Sequence, residues 1–288
     1  MKIALVIQGK LHQHSLMQIP YYETLGDVYV SHYSDEDTPS FLNAKLIQNS
    51  PELPAGAWNG QNVYYQCMST LAGLNAAIRH GEETGEQYDI AIKLRSDQSF
   101  GNLTPIINAV KSNPDKYTCS NLHFRPDHIS KFHASDKLIG AGIFRLRDCF
   151  RTALRRCMAM PMHLSSGLYE IPAIHPTSPP YAYDTSCCID PTYGHSSVPP
   201  FAESDKEPPV LGRPRKLAHN YDGVYPEVLI ATSWLMAQGI MPNRFFSRAQ
   251  MKKHFQIVKV EDMLPYVNKY ANGMIEHNWL EIDHIDQL

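Results

Sequence analysis

Apolar and polar residues follow two different periods along the first 150 residues of this 288-residue chain. Residues 2–8 form a short apolar run that ends at Gly9, and residues 27–31 and 88–94 alternate before the chain turns polar. Short runs of this kind are typical of strands. Three of them, separated by long intervening segments, predict an α/β fold with a mostly parallel sheet flanked by helices.

Helical spacing is clearest between the second and third predicted strands, where an apolar residue recurs every three or four positions. The recurring residues are Val63, Cys67, Leu71, Leu74 and Ile78. Asn59 or Asn62 is suited to cap the start of this helix, and Gly81 is suited to end it.

Further elements follow along the chain. A second predicted helix starts at Thr104-Pro105, with threonine as its cap and proline at its first position. Residues 117–122 and 138–144 are predicted as strands, and Leu146, Phe150 and Leu154 then mark a helix with arginines on its outer face. Residues 225–238 predict a helix that is apolar around most of its surface.

Regular periodicity breaks down between residues 160 and 217, which contain eleven of the 21 prolines. A structureless stretch of this length is unusual inside a compact domain. It is either a functional lid or acceptor-binding insertion, or it is partly disordered. We therefore divide a single domain into an α/β part at residues 1–158, a Pro-rich insertion at 159–218 and a helical part at 219–288.

Composition limits the classes of binding partner and indicates the cellular compartment. The net charge is −3 and the one short basic run is residues 213–216, so a nucleic-acid partner has little electrostatic support. The apolar start is too short for a signal peptide, and no stretch reaches the 18–20 apolar residues of a membrane span. Six cysteines without a CxxC pair or zinc-like spacing are expected to be reduced thiols, in a cytoplasmic protein.

Polar residues gather where the three predicted strands end, and these ends meet at one edge of a parallel sheet. The ends are Gln8-Gly9-Lys10, the segment from Ser31 to Asp37, and Arg95-Ser96-Asp97. Glycine permits close backbone approach, and carboxylates hold a ribose hydroxyl or a divalent cation. Together they predict a pocket for a nucleoside diphosphate.

The same segments carry a resemblance to the WavE-like family of lipopolysaccharide-synthesis glycosyltransferases. It rests on the strand ends Ile7-Gln8-Gly9 and Val30-Ser31, the helix at 62–74 that includes Gln66, the block Ile92-Lys93-Leu94-Arg95-Ser96-Asp97, Ser135-Asp136 with residues 140–144, and Pro226-Glu227. The resemblance covers residues 1–150 and 222–238. The resemblance implies a GT-A-like, Rossmann-related fold and a donor site formed by Gln8, Gly9, Lys10, Ser31, Gln66, Lys93, Arg95, Ser96 and Asp97.

In GT-A enzymes an acidic motif after a strand binds a divalent metal, which in turn holds the donor diphosphate. Here Asp97 is the one carboxylate in the motif, because Arg95 occupies the first acidic position. Asp97 is expected to bind Mn²⁺ or Mg²⁺, with His254 as a further ligand; alternatively Arg95 and Lys93 bind the phosphates directly. Lys93 would otherwise be a solvated cation, and a buried strand favours phosphate or carboxylate pairing instead.

An inverting sugar transfer needs a general base, for which Glu227 and Asp136 are the candidates. His133 and His254 are further candidates, since GT-A enzymes often recruit a C-terminal histidine to the metal. The resemblance thus implies a nucleotide-sugar-dependent glycosyltransferase that acts on a saccharide acceptor in surface polysaccharide, lipopolysaccharide or glycan synthesis. A lipid-linked acceptor would bring it peripherally to a membrane. The alternatives are a sugar-phosphate nucleotidyltransferase and a catalytically silent carbohydrate-binding protein on the same fold.

Overall fold

The computed structural model describes residues 1–33, 44–55, 57, 62–121, 134–159, 226–240, 242 and 248–267. Its strands are β1 (Ile3–Gln8), β2 (Asp27–Tyr33), β3 (Lys45–Asn49), β4 (Ile90–Arg95), β5 (Gln98–Phe100), β6 (Tyr117–Ser120), β7 (Leu138–Gly142), β8 (Phe255–Val258) and β9 (Pro265–Val267). Its helices are α1 (Gln13–Glu23), α2 (Val63–Thr84), α3 (Thr104–Ser112), α4 (Ile143–Ala159), α5 (Pro226–Ala237) and α6 (Arg248–His254), with a 3₁₀ turn at Glu261–Met263.

The main sheet has seven strands in the order β3-β2-β1-β4-β7-β6-β8. Its neighbours are parallel except β7, which runs antiparallel to both β4 and β6. β5 and β9 form a separate antiparallel pair. The predicted α/β fold with a mostly parallel sheet flanked by helices is confirmed, and its order is consistent with the expected GT-A-like, Rossmann-related class.

Helices cover both faces of this sheet, which explains why β1 is an uninterrupted apolar run. Ala4 and Val6 belong to the core shared with α2, α4 and α5. Leu5 and Ile7 point the other way, into the core shared with α1 and α3. Because side chains alternate along β1, Gln8 at its end lies on the same face of the sheet as Ala4 and Val6.

The direction of β7 decides what reaches the carboxyl edge of the sheet. Because β7 is antiparallel, its amino end lies beside the carboxyl end of β4, where Leu138 pairs with Leu94. The backbone N–H of Arg95 donates to the carbonyl of Lys137 over 3.2 Å. The residues immediately before β7 consequently lie at the same edge as the end of β4.

One arginine of α4 does not lie on the outer face, contrary to the prediction. Arg156 is buried, and its Nη1 donates to the Leu229 carbonyl at 3.0 Å, to Thr232 Oγ1 at 2.7 Å and to Ser233 Oγ at 2.9 Å. The acceptors all come from α5, whose residues from Pro226 to Leu235 are buried. The guanidinium therefore joins α4 to α5.

Several element boundaries differ from the prediction. α2 continues past Gly81 to Thr84 and ends at Gly85, whose φ of 72° is left-handed. A Cβ at Gly81 would lie 3.1 Å from the Glu86 carbonyl, so close packing explains that glycine. Asn62 is the residue before α2, as predicted, although its side chain makes no capping bond. Residues 143–144 begin α4 instead of extending β7.

Several predicted features lie outside the described residues: the Pro-rich stretch at 160–217, the polar run at 34–37, and His133. The division of the chain at 158/159 and 218/219 stays a prediction. In the part that is described, no helix is long and apolar enough to cross a membrane. Cys67, Cys119, Cys149 and Cys157 are buried and free.

Candidate functional site

A cavity of about 690 Å³ opens at the carboxyl edge of the sheet, where β1 and β4 end side by side. The chain leaves β1 towards β2 and β3 and then returns to β4 on the other side, so the strand order reverses here. Such switch points are where open α/β sheets bind ligands. The lining residues are Gln8, Gly9, Lys10, His12, Tyr33, Asn62, Tyr65, Gln66, Arg95, Ser96, Asp97, Lys137, Pro226 and Glu227.

Two turns meet on the floor of this cavity. The Ser96 N–H donates to the Gln8 carbonyl at 2.9 Å, and the Gly9 N–H donates to the Ser31 carbonyl at 3.2 Å. Gly9 has a φ of 118°, and a Cβ there would lie 2.7 Å from Ser96 Oγ. Glycine is therefore required both by the backbone conformation and by the contact between the turns.

Charged side chains of alternating sign run along the cavity wall and directly beneath it. Arg95 binds both carboxylate oxygens of Asp97, with Nε 3.0 Å from Oδ1 and Nη2 2.7 Å from Oδ2. Its Nη1 lies 3.5 Å from Oδ2 of Asp136. Lys137 Nζ lies 2.8 Å from Asp136 Oδ1 and 3.2 Å from Glu227 Oε1. Asp136 thus links two cation–carboxylate pairs that come from different elements.

Burial and pairing set the charge states of this chain of side chains. Burial alone would raise the pKa of Asp136, but Lys137, Arg95 and Lys93 outweigh it and hold that pKa well below the usual carboxyl range. Burial also opposes ionisation of Asp97, whose pKa is nevertheless lowered by Arg95. The pKa of Lys137, which burial would lower, is raised by Asp136 and Glu227. The two aspartates and Lys137 are therefore charged at neutral pH.

The other end of the cavity is aromatic. The rings of Tyr33 and Tyr65 pack edge to face, 5.6 Å apart at an angle of 84°. Tyr65 donates its hydroxyl to the Pro51 carbonyl at 2.9 Å. Gln66, in the first turn of α2, donates its amide to Asp136 and so connects this helix to the charged wall.

The structure brings most of the predicted site residues together. Those that line the cavity are Gln8, Gly9, Lys10, Gln66, Arg95, Ser96, Asp97 and Glu227. They come from strand ends and from the first turns of α2 and α5, so the interpretation of strand ends as one site agrees with the geometry. Their roles in binding and transfer stay proposals.

Three predicted site residues lie beneath the cavity instead of facing it. The Asp136 side chain has no exposed surface, which does not suit a general base that must reach an acceptor. Lys93 is fully buried and donates to the Asp136 carbonyl, so it is neither a surface cation nor placed to touch a donor. Ser31 is fully buried as well; its Oγ donates to the Ser69 carbonyl at 2.7 Å and accepts from Asn49.

His254 lies away from the cavity. It ends α6 directly before β8, at the amino end of that strand. β8 is parallel to β6, and both β6 and β4 are antiparallel to β7, so the amino end of β8 lies at the edge opposite Asp97. The structure therefore contradicts His254 as a metal ligand beside Asp97.

Six lining residues were not predicted as site residues: His12, Tyr33, Asn62, Tyr65, Lys137 and Pro226. Lys137 is the most consequential, because it pairs with both Asp136 and Glu227. The signal available was its position directly after Asp136. Its orientation towards β4 depends on the direction of β7, which the sequence pattern does not reveal.

The residues present do not fit a divalent cation. Both oxygens of Asp97 are bound by Arg95, and the oxygens of Asp136 face Arg95, Gln66 and Lys137. Hard cations take six or more oxygen ligands, several of them carboxylates or carbonyls. Within the described ranges, no group of three or more His, Cys, Asp or Glu side chains is arranged to hold a metal. Metal dependence remains a prediction from the sequence.

Comparison with known proteins leaves the family open. No family model matches the chain, and no curated protein matches it. Among solved structures it is similar to the apo form of the glycosyltransferase GlyE from Streptococcus pneumoniae TIGR4, at 12% identity and a TM-score of 0.27. The match covers 90% of this chain and 74% of that one. A likeness this weak carries no argument about function, and the WavE-like resemblance stays a prediction.

Proposed function

We propose that this chain is a glycosyltransferase that moves a sugar from a nucleoside-diphosphate sugar to a saccharide acceptor. The observation that carries the proposal is the cavity at the switch point between β1 and β4, where Arg95 and Lys137 lie in the same wall as the carboxylate of Glu227. Cations suit a diphosphate leaving group, and a carboxylate suits proton removal from a hydroxyl.

The cavity has the size and polarity that a nucleotide sugar needs. Its 690 Å³ lies within the roughly 300–1,000 Å³ of small-molecule sites. Tyr33 and Tyr65 offer aromatic surface for a base at one end, and Arg95 and Lys137 offer N–H donors for phosphates at the other. Gln8 lies between these ends, since it pairs in register with Ser31 of β2 and with Arg95 of β4.

The transfer step balances with the groups in this wall. The acceptor hydroxyl oxygen forms a bond to the anomeric carbon, and the bond from that carbon to the diphosphate oxygen breaks. The nucleoside diphosphate leaves with the bonding electron pair, and Arg95 and Lys137 stabilise its added charge. On an inverting route, Glu227 takes the hydroxyl proton; its position in the first turn of α5 also stabilises its negative charge.

Surface polysaccharide, lipopolysaccharide or glycan synthesis in the cytoplasm is the setting we propose, with the WavE-like pattern of the sequence as support. A lipid-linked saccharide acceptor belongs to the same proposal. In this proposal the strand ends, Asp97, Arg95 and Lys137 hold the donor, and Glu227 faces the acceptor.

A panel of UDP-, GDP-, dTDP- and CMP-linked sugars, each with and without Mn²⁺, tests the proposal by thermal shift and by release of the nucleotide. We expect stabilisation by one nucleotide family, slow release of the matching nucleotide, and loss of both in Asp97→Ala, which removes the partner that orients Arg95. Formation of a nucleotide sugar from a nucleoside triphosphate and a sugar 1-phosphate would identify a nucleotidyltransferase instead. No response to any nucleotide overturns the proposal and leaves a carbohydrate-binding protein.

A further inference from the structure

We propose that Asp136 is a positioning residue that directs Arg95 and Lys137 at the donor diphosphate, so that these two side chains neutralise it without a resident metal ion. This inference rests on the proposed function. It concerns how the donor is held. It assigns roles to Asp136, which lies beneath the cavity, and to Lys137, which was not among the residues predicted from the strand ends.

The two cations leave the backbone at neighbouring points. Arg95 ends β4 and Lys137 precedes β7, and the Arg95 N–H donates to the Lys137 carbonyl at 3.2 Å. Two cations this close repel each other unless an anion lies between them. Asp136 supplies that anion, with Oδ2 3.5 Å from Arg95 Nη1 and Oδ1 2.8 Å from Lys137 Nζ.

Asp136 is itself fixed from below and from the side. Its side chain is fully buried, Gln66 of α2 donates to Oδ2, and Lys93 of β4 donates to its backbone carbonyl. A carboxylate held by neighbours on β4 and α2 has little freedom to move. It therefore sets where the guanidinium and the ammonium point.

Both cations keep donors for a ligand. Of the five N–H groups of a guanidinium, those of Arg95 give three contacts to Asp97 and Asp136 among the described residues, which leaves two. The Arg95 side chain is 23% exposed and that of Lys137 is 9% exposed, and both line the cavity. The Arg95 fork suits bidentate binding of phosphate oxygens.

Asp97 is occupied in the way this inference requires. A metal at Asp97 would have to displace a bidentate guanidinium at 2.7–3.0 Å. Such charge-assisted pairs are among the stronger protein hydrogen bonds. Asp97 therefore orients Arg95 from one side, as Asp136 does from the other.

Calorimetric titration in EDTA provides the test, with inorganic pyrophosphate, UDP and GDP as probes and uridine and guanosine as their uncharged counterparts. We expect the wild type to bind pyrophosphate and one of the diphosphates, and Mn²⁺ to change these affinities by less than about threefold. In Asp136→Asn, diphosphate affinity should fall about tenfold or more, since hydrogen bonds to a charged group are stronger than those to a neutral amide and the amide orients the two cations less firmly. Nucleoside affinity should stay unchanged.

Each other result has a defined meaning. Diphosphate binding that requires Mn²⁺ overturns this inference and leaves the glycosyltransferase proposal intact, whereas no binding under either condition overturns both. An equal loss of nucleoside and diphosphate binding in Asp136→Asn assigns Asp136 a structural role only. If that variant does not fold, Arg95→Gln and Lys137→Gln carry the test: both should lose diphosphate affinity selectively, and unchanged affinity in both overturns the inference.

Discussion

Lys137 Nζ lies 3.2 Å from Oε1 of Glu227, although the two residues are 90 positions apart in the sequence. The contact joins the segment before β7 to the first turn of α5, and it holds the Glu227 side chain at the wall of the cavity. The acid is thus placed by a cation and by the amino end of a helix, both of which favour its ionised form.

Glu227→Gln tests whether this carboxylate removes the acceptor proton. The amide keeps the size of the side chain and can still accept from Lys137, but it is a very poor base. We expect the turnover number to fall about 10²–10⁴-fold, the usual contribution of a general base. The dissociation constant of the nucleotide should change by less than about threefold, because the phosphate-binding cations remain. Steady-state transfer rates and calorimetry give the two numbers.

Glu86→Gln is the matched control, since it makes the same change at an exposed acid beyond the end of α2. Glu86 pairs with Lys2 at 2.8 Å at the amino edge of the sheet. Its turnover should equal that of the wild type. If the turnover of Glu227→Gln equals that of the wild type, Glu227 does not take the acceptor proton.

Arg156→Met should destabilise the fold through the contact between α4 and α5. The change removes the three hydrogen-bond contacts of one buried nitrogen with the Leu229 carbonyl and the hydroxyls of Thr232 and Ser233. We expect a loss of about 2–4 kcal/mol in the free energy of unfolding, as for other buried polar networks that lose one member. Urea denaturation measures it. The exposed neighbour in Arg155→Met should lose less than about 0.5 kcal/mol; similar losses in both would contradict the role of Arg156.

Strand ends were predictable from sequence because a run of buried apolar residues must stop where the chain reaches solvent. This rule located Gln8, Gly9 and Arg95 at one edge of the sheet, and alternation along β4 assigned Lys93 and Arg95 to the same face. The alternation does not show how far each of these side chains lies from the edge of the sheet. Lys93 lies two residues further from the edge than Arg95, and it is fully buried with its Nζ on the Asp136 carbonyl.

Features that depend on the register or direction of distant strands could not be predicted. Lys137 reaches the site because β7 is antiparallel, and His254 is kept away because β8 is parallel to β6. α1 was also missed, because Pro20 lies inside it and argues against a helix. Its buried residues Ile19 and Tyr22 are three positions apart, a spacing too brief to stand out.

Gly73→Ala should destabilise the protein even though alanine favours helices. A Cβ at Gly73 would lie 2.5 Å from Val6 Cγ1, at the point where α2 crosses β1. We expect a net loss of about 1–3 kcal/mol from overpacking, against a helix-propensity gain of up to about 1 kcal/mol. Urea denaturation of the purified variant measures the balance.

Asn75→Ala, on the exposed face of the same helix, raises helix propensity without a clash and should leave stability equal or slightly higher. The loss in the double variant Val6→Ala/Gly73→Ala should be smaller than the sum of the two single losses, because Val6→Ala removes the atom that the new methyl group meets. A Gly73→Ala protein as stable as Asn75→Ala would show that α2 can move away from β1 at little cost.

Lys93 should make stability depend on pH in a direction that identifies it. Burial lowers the pKa of Lys93 to about 7, with Asp136 raising that pKa and Arg95 and Lys137 lowering it. In the unfolded chain its pKa is about 10.4. Between these values the unfolded state keeps a proton that the folded state has lost, so stability from this group rises with pH, by up to about 1.4 kcal/mol per unit.

Buried thiols such as Cys119 act in the opposite direction, because burial raises their pKa. The thiols are present in both the wild type and Lys93→Met, so their effect cancels in the comparison. The unfolding free energy of the wild type minus that of the variant should therefore increase from pH 7.5 to 9.5. A constant difference over that range would show that folding leaves the pKa of Lys93 at its ordinary value.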